Sequence, residues 1–204
     1  MSRSPLVLGI AGSPRRHGNS DRLLEAALEG AEGAGARTEV LVASTSGVRP
    51  CLGCNACSLT GECVLNDGAS LYRAIDAADA LIVASPVFFA TVPAVLKAVI
   101  DRMQPYWART HVLGQEPPRR RPGAVLLARS GGDPFGFDAA DATIRSVFAV
   151  LGVDVVAEVR VEGVDRPADL SVRPDALEQA HAAGRQVAEA TVQRRAASGD
   201  RSSS

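Results

Sequence analysis

Aromatic residues make up only 4% of this 204-residue chain, which leaves few rings to form a platform for stacked bases. Positive charge is not in excess either: 22 Lys and Arg against 23 Asp and Glu give a formal net charge of -1. Both deficits argue against a nucleic-acid partner. Long apolar runs are missing as well. The most apolar window, "ALIVASPVFFATVPAVLKAVI", is interrupted by Pro86, Pro93 and Lys97, so it reads as strand, loop and helix instead of a membrane span. At the start, "MSRSPLVLGIAGSPRRHG" holds too short an apolar run for a signal segment and ends in turn residues and arginines. A cytoplasmic protein with no membrane partner is the expectation. Cysteine is confined to four positions in one segment, unlike the dense, dispersed pattern of a secreted disulfide scaffold, so reduced thiols or metal ligands are expected.

What the chain does have is a hydrophobic share of 46%, enough for a sizeable core. Short branched runs closed by turn residues predict strands at 6–12, 38–44, 80–86, 123–130 and 154–161. Between them, apolar residues recur at helical spacing. Leu23, Leu24, Ala27, Leu28 and Ala31 form one stripe, with Ser20 placed to cap its helix. Further helices are predicted around 69–78, after Pro93 through Met103, over 138–152 and over 174–195. Strands alternating with helices imply an α/β fold: a doubly wound five-stranded parallel sheet in a three-layer sandwich. One domain over 1–195 follows, with an insertion at 49–68, a long loop at 105–123 and a disordered tail at 196–204.

In an open parallel sheet, ligands bind beyond the carboxyl ends of the strands, so the loops after strands one, three and four should converge. The first, "GSPRRHGNS", offers glycines for close backbone approach, Ser13, Asn19 and Ser20 as donors, Arg15 or Arg16 as charge, and a helix N-terminus. That set suits a phosphate, although a well-capped polar turn would look the same. It matches neither the dinucleotide fingerprint nor the P-loop. The second, "SPVFFATVP", places Pro86, Val87, Phe88 and Phe89 where they either pack as core or border a flat ring. The third, "SGGDPFG", can present backbone N–H groups from Ser130, Gly131 and Gly132. Together they suggest a mononucleotide carrying a flat heterocycle.

The cysteines lie in "RPCLGCNACSLTGECVLNDG". Cys51, Cys54 and Cys57 at two-residue spacing, then Cys63 after five more, form a compact run of the kind that ligates iron–sulfur clusters. Zinc and bare packing thiols stay open beside it.

Three stretches, "GIAGSPRRHGNS", "PCLGCNACSLTGEC" and "SPVFFATVPAVLKAVIDR", resemble the flavodoxin-like NAD(P)H-dependent FMN reductases and, within them, the iron–sulfur flavoproteins. The resemblance implies that Ser13, Arg15, Asn19 and Ser20 hold the FMN phosphate. Pro86, Val87, Phe88, Phe89, Ser130, Gly131 and Gly132 would hold the isoalloxazine. By the same resemblance Cys51, Cys54, Cys57 and Cys63 would ligate a [4Fe-4S] cluster. Phe88 departs from the family, in which many members carry Tyr there. The implied activity is electron transfer from NAD(P)H, or from a reduced protein such as ferredoxin, to a small-molecule acceptor such as a quinone. No side chain is assigned a catalytic role, since the flavin carries the chemistry. The implied assembly is a homodimer or homotetramer. A cluster-free reductase, a pure electron carrier and a metal-binding module without flavin remain alternatives.

Lesser features read as follows. His17 is a surface residue. Tyr106 and Trp107 either meet another subunit or cover the flavin edge. The arginines at 119–121 form a solvated turn, with attraction for NADPH phosphates as the minor reading.

Overall fold

The computed structural model describes residues 3–166 and 169–199. Five strands build its sheet: β1 Leu6–Ala11, β2 Arg37–Val42, β3 Ala80–Pro86, β4 Arg121–Arg129 and β5 Val153–Glu162. Seven helices are α1 Asn19–Gly33, α2 Cys57–Thr60, α3 Ala69–Ala77, α4 Ala94–Asp101, α5 Gln104–His111, α6 Asp138–Val150 and α7 Pro174–Gly199. The strands lie parallel in the order β2-β1-β3-β4-β5. This is the flavodoxin-like order, whose switch point falls between β1 and β3. Burial explains the order. All of β1 and nearly all of β3 and β4 are inaccessible, as central parallel strands must be, whereas β2 at the edge is largely open.

Alternate residues of each strand feed opposite cores. Val7, Ile82 and Leu126 pack beneath α1 and α7, while Leu8, Leu81 and Leu127 pack beneath α3, α4 and α6. The α1–α7 contact depends on two glycines. A Cβ on Gly184 would stand 1.6 Å from the Ala27 carbonyl oxygen, and one on Gly30 would stand 2.0 Å from that of His181. Backbone meets backbone there, so no side chain can yield.

Several local expectations are corrected. Ser20 does not cap α1: Gly18 is the N-cap, and Ser20 is buried in the first turn. No side chain caps the helix; Asp21 of its first turn fastens the incoming chain instead, its carboxylate accepting the His17 N–H at 2.9 Å and pairing with Arg16 at 3.2 Å. The stretch 105–123 is not one long loop, because α5 occupies its first third and β4 begins at Arg121. Pro105 sits in the first turn of α5, where a missing N–H costs nothing. Of the three arginines expected in a solvated turn, Arg119 and Arg120 are exposed, but Arg121 is not. Arg121 is 5% exposed and donates from Nη1 to the carbonyls of Ile75 and Ala78, at 2.5 and 2.9 Å. Arg119 pairs with Asp79 at 2.7 Å and Arg120 with Asp154. Helix α7 runs on to Gly199, so the start of the supposed tail is helical, and 200–204 lie outside the described residues. Among the described residues no helix is long and apolar enough to cross a membrane.

Candidate functional site

Two cavities collect the residues singled out by the sequence. The first, of ≈ 160 Å³, opens beyond the carboxyl ends of the strands. Ser13, Arg15, Asn19 and Ser20 line it from the loop after β1, and Pro86, Val87 and Phe88 from the loop after β3. Ser130 reaches it after β4, with Arg129 beside it. Val164 and Asp165, following β5, complete the wall and were not anticipated.

Local backbone chemistry explains how these loops converge. Gly12 donates to the Ala84 carbonyl at 2.8 Å, and a Cβ there would come within 2.6 Å of Leu96. The chain therefore leaves β1 flush against β3 only with glycine. Ser13 Oγ accepts the Arg15 N–H at 3.0 Å, which leaves its hydroxyl proton free to donate. Ser13 and Ser20 are each 3% exposed. The first N–H groups of α1 have no helical acceptor and end at this cavity. Asn19 Nδ2 donates to the Arg166 carbonyl at 3.0 Å, and its Oδ1 is buried without a partner.

The second and third loops are tied by Asp133. Its carboxylate accepts the Ala90 N–H at 2.9 Å and the Phe135 N–H at 2.8 Å. Its carbonyl accepts from Arg129 Nη1 at 2.9 Å, and Arg129 Nη2 pairs with Glu162 at 2.6 Å. Arg129 Nε is buried and unpartnered. Asp133 is a residue that sequence reasoning missed, although an aspartate two positions before an N–H in a glycine-rich turn is a readable signal. Phe89 stands apart from the other residues of its loop. It sits at φ 48° in a tight turn, is 97% exposed, and does not line the cavity. Gly131 and Gly132, at φ 111° and 78°, turn the backbone behind Ser130 without lining the cavity themselves. His17, exposed and at φ 59°, is a surface residue as expected.

The second cavity, ≈ 340 Å³, is lined by Cys51, Cys54, Cys57 and Cys63. All four thiols are free, and Cys54 is exposed. Residues at positive φ alternate with them: Gly53 at 63°, Asn55 at 58° and Gly61 at 75°. These reversals coil the segment so that its cysteines face one hollow. Among the described residues no group of three or more Cys, His, Asp or Glu is placed to hold a single metal ion. Burial, and then the nearby thiols of Cys51, Cys63 and Cys54, push the Cys57 thiol up, with a backbone hydrogen bond opposing.

What holds this segment was also missed. Arg102, just past α4 and 1% exposed, donates from Nη1 to Asp67 Oδ1 at 2.6 Å and to the Arg49 carbonyl at 3.0 Å. Its Nη2 donates to the Leu65 carbonyl at 3.1 Å. Bonds from Arg49 and then Arg102 hold the Asp67 carboxyl well below the usual carboxylate range. Arg109 of α5 ties the middle of the segment through the Gly61 carbonyl at 2.8 Å. Trp107 lines this cavity and not the strand-end one, and is 42% exposed. Tyr106 does neither thing expected of it: it is 5% exposed and bonds Asp76 at 2.7 Å.

Residues 5–163 match the sequence profile of the NADPH-dependent FMN reductases. An iron–sulfur flavoprotein of Methanocaldococcus jannaschii is 32% identical over 189 residues, which is 90% of this chain and 95% of that one. An iron–sulfur flavoprotein of Archaeoglobus fulgidus is 41% identical over 110 residues; the match spans 53% of this chain but only 50% of that relative. Among solved structures, an NAD(P)H:quinone oxidoreductase from Methanothermobacter marburgensis superimposes with a TM-score of 0.67 at 23% identity, covering 90% of this chain and 96% of the other. At that identity the likeness establishes the fold alone.

Proposed function

The chain belongs to the NADPH-dependent FMN reductase family and groups with its iron–sulfur flavoproteins, and on that premise we propose an FMN-dependent oxidoreductase with a [4Fe-4S] cluster in its cysteine cavity. Electrons would come from NAD(P)H or a reduced redox protein such as a ferredoxin, and leave to a small-molecule acceptor such as a quinone. The observation that carries this reading is the pairing of two cavities in one sheet-built frame, one offering phosphate donors and the other four free thiols.

The residues of the first cavity suit FMN. Ser13 and Ser20 supply hydroxyl donors, the start of α1 supplies N–H groups, and Arg15 and Arg16 supply charge toward a phosphate. Asn19 spends its Nδ2 on Arg166 and keeps Oδ1 unpartnered, so it presents an acceptor, better matched to a ribityl hydroxyl than to phosphate oxygens. The unpartnered Nε of Arg129 is a second group that wants a ligand. Phe88 and Val87 give an apolar wall. The volume is below the several hundred Å³ that encloses a whole cofactor, so only part of the mononucleotide is enclosed. When bound, FMN takes up a hydride and passes electrons on, and a cluster relays them one at a time. This chain's contribution is to bind, orient and tune.

The four thiols line one hollow, and the compact spacing of their cysteines is of the kind that ligates a cluster, whereas zinc more often takes two separated cysteine pairs. A homodimer or homotetramer belongs to the same reading: Leu52, Leu59 and Val64 stand exposed at the cysteine segment, where a second copy would cover them. Protein purified and reconstituted without oxygen tests the whole. We expect bound FMN, about four iron and four sulfide per chain, and NAD(P)H oxidation with a quinone. FMN without iron or sulfide would leave a cluster-free reductase, and reduction by ferredoxin alone would leave an electron carrier.

A further inference from the structure

Arg102 is the largest fully buried side chain among the described residues, yet it is a cation at the edge of a cavity. Lysine and arginine almost never reach that burial unless paired. Its pairing is incomplete in an informative way. Asp67 is its carboxylate partner, and that carboxylate is shared with Arg49 at 2.8 Å. Asp101, the carboxylate that lines the cavity, is taken by Lys97 at 2.6 Å. Positive charge is thus in excess at the neck of the cysteine segment. Arg102 Nε is also buried with no partner, whereas Nη1 donates to Asp67 and the Arg49 carbonyl and Nη2 to the Leu65 carbonyl. Arg49 stands two residues before Cys51, and Leu65 two residues after Cys63. One guanidinium therefore closes the cysteine run at both ends and keeps its Nε–H unpartnered, on a residue that lines the same cavity as the four cysteines.

Four thiolates carry more negative charge than an iron–sulfide core cancels. A buried cation and an N–H donor close to the sulfurs favour the reduced cluster, because reduction adds a further negative charge. Resting on the cluster reading above, we propose that Arg102 is a positioning residue for the cysteine site: it clamps the loop through its carbonyls and raises the cluster's reduction potential through its charge and its free Nε–H.

The test compares reconstituted wild-type protein with Arg102→Leu, Arg102→Lys and Asp67→Asn. It measures the cluster midpoint potential by redox titration followed by electron paramagnetic resonance, and iron loss to a chelator. Arg102→Leu is expected to lower the potential and to weaken iron retention about 10–100-fold. Asp67→Asn breaks the same ion pair, so it also speeds iron loss, but it removes negative charge and is expected to raise the potential. Arg102→Lys restores much of the potential without restoring retention, because lysine has the charge but not the fork. Opposite potential shifts for the two halves of one ion pair are what a purely structural clamp does not produce. Potentials that shift in the same direction in Arg102→Leu and Asp67→Asn, or do not move at all, overturn the proposal while leaving the cluster intact. FMN affinity reports folding of each variant. Should Arg102→Leu lose FMN, the sign in Asp67→Asn decides alone. Wild-type protein that takes up neither iron nor sulfide overturns the cluster reading and this proposal together.

Discussion

The two cavities are built on different principles. The strand-end cavity is made of loops whose positions follow from the sheet itself: β1, β3, β4 and β5 all point at it, and Gly12 and Asp133 tie the exits together. The cysteine cavity is an added segment outside the sheet, coiled by positive-φ residues and held by two arginines from α4's end and α5. One site is a by-product of topology and resists single changes in its wall. The other hangs on a few polar bonds and should fail when one is cut. Loops of that second kind are where local opening is cheapest.

The largest expected effect strikes the frame of the first cavity. Gly184→Val drives a side chain into the Ala27 carbonyl and pushes α7 from α1, the helix that follows the first loop of the strand-end cavity. A loss of about 3 kcal/mol or more in a denaturant titration is expected, with FMN affinity falling before the cysteine segment is disturbed. Unchanged stability would mean that the helices are not in backbone contact.

Next in size, Ser13→Ala together with Ser20→Ala should weaken FMN by roughly a hundredfold or more, since bonds to a charged acceptor contribute about 1.5–3 kcal/mol each. Riboflavin affinity should barely move. Equal losses for both ligands would remove the phosphate from this loop, and parallel loss of iron would erase the independence of the two cavities.

Acid separates a carboxylate of the frame from one of the loop. Asp79, at the opposite end of the sheet, is 3% exposed, and burial would raise its carboxyl. The Leu6 N–H at 2.8 Å, with Arg119 and Arg195, more than offsets that and holds it below its ordinary value. Its contribution is therefore complete above the unfolded value of about 3.9 and is lost as pH falls through the lower folded value. Asp79→Asn should make the acid limb of global stability shallower. Asp67, also depressed, should affect only protection of the cysteine segment, read by hydrogen exchange.

The smallest effect is expected at Phe89. Because it is 97% exposed, Phe89→Ala should alter stability by no more than about 0.5 kcal/mol and leave FMN affinity unchanged. A large loss of FMN would return Phe89 to the wall of the first cavity.

How far each region could be read in advance follows the same divide. The strand-end loops were legible because strand order and turn chemistry place them: Ser13, Ser20, Phe88 and Ser130 all line the cavity. Neighbours in sequence were harder to separate. Phe88 and Phe89 look alike on paper, but the positive φ of Phe89 sends consecutive side chains different ways. The arginines at 119–121 look like a polar turn, and only the start of β4 shows that the third is buried against carbonyls.

By itself the sequence determined the strands, the helices between them apart from α2 and α5, and the gathering of four cysteines, because hydrophobic period, turn residues and spacing are local properties of the chain. Tertiary structure alone decided which polar residues serve those elements. Arg102 lies 39 positions beyond Cys63 yet closes the cysteine run, and Gly184 meets Ala27 from the far end of the chain. Such pairings depend on where helices dock. Docking is set by the summed burial of whole faces, which no short stretch of sequence contains.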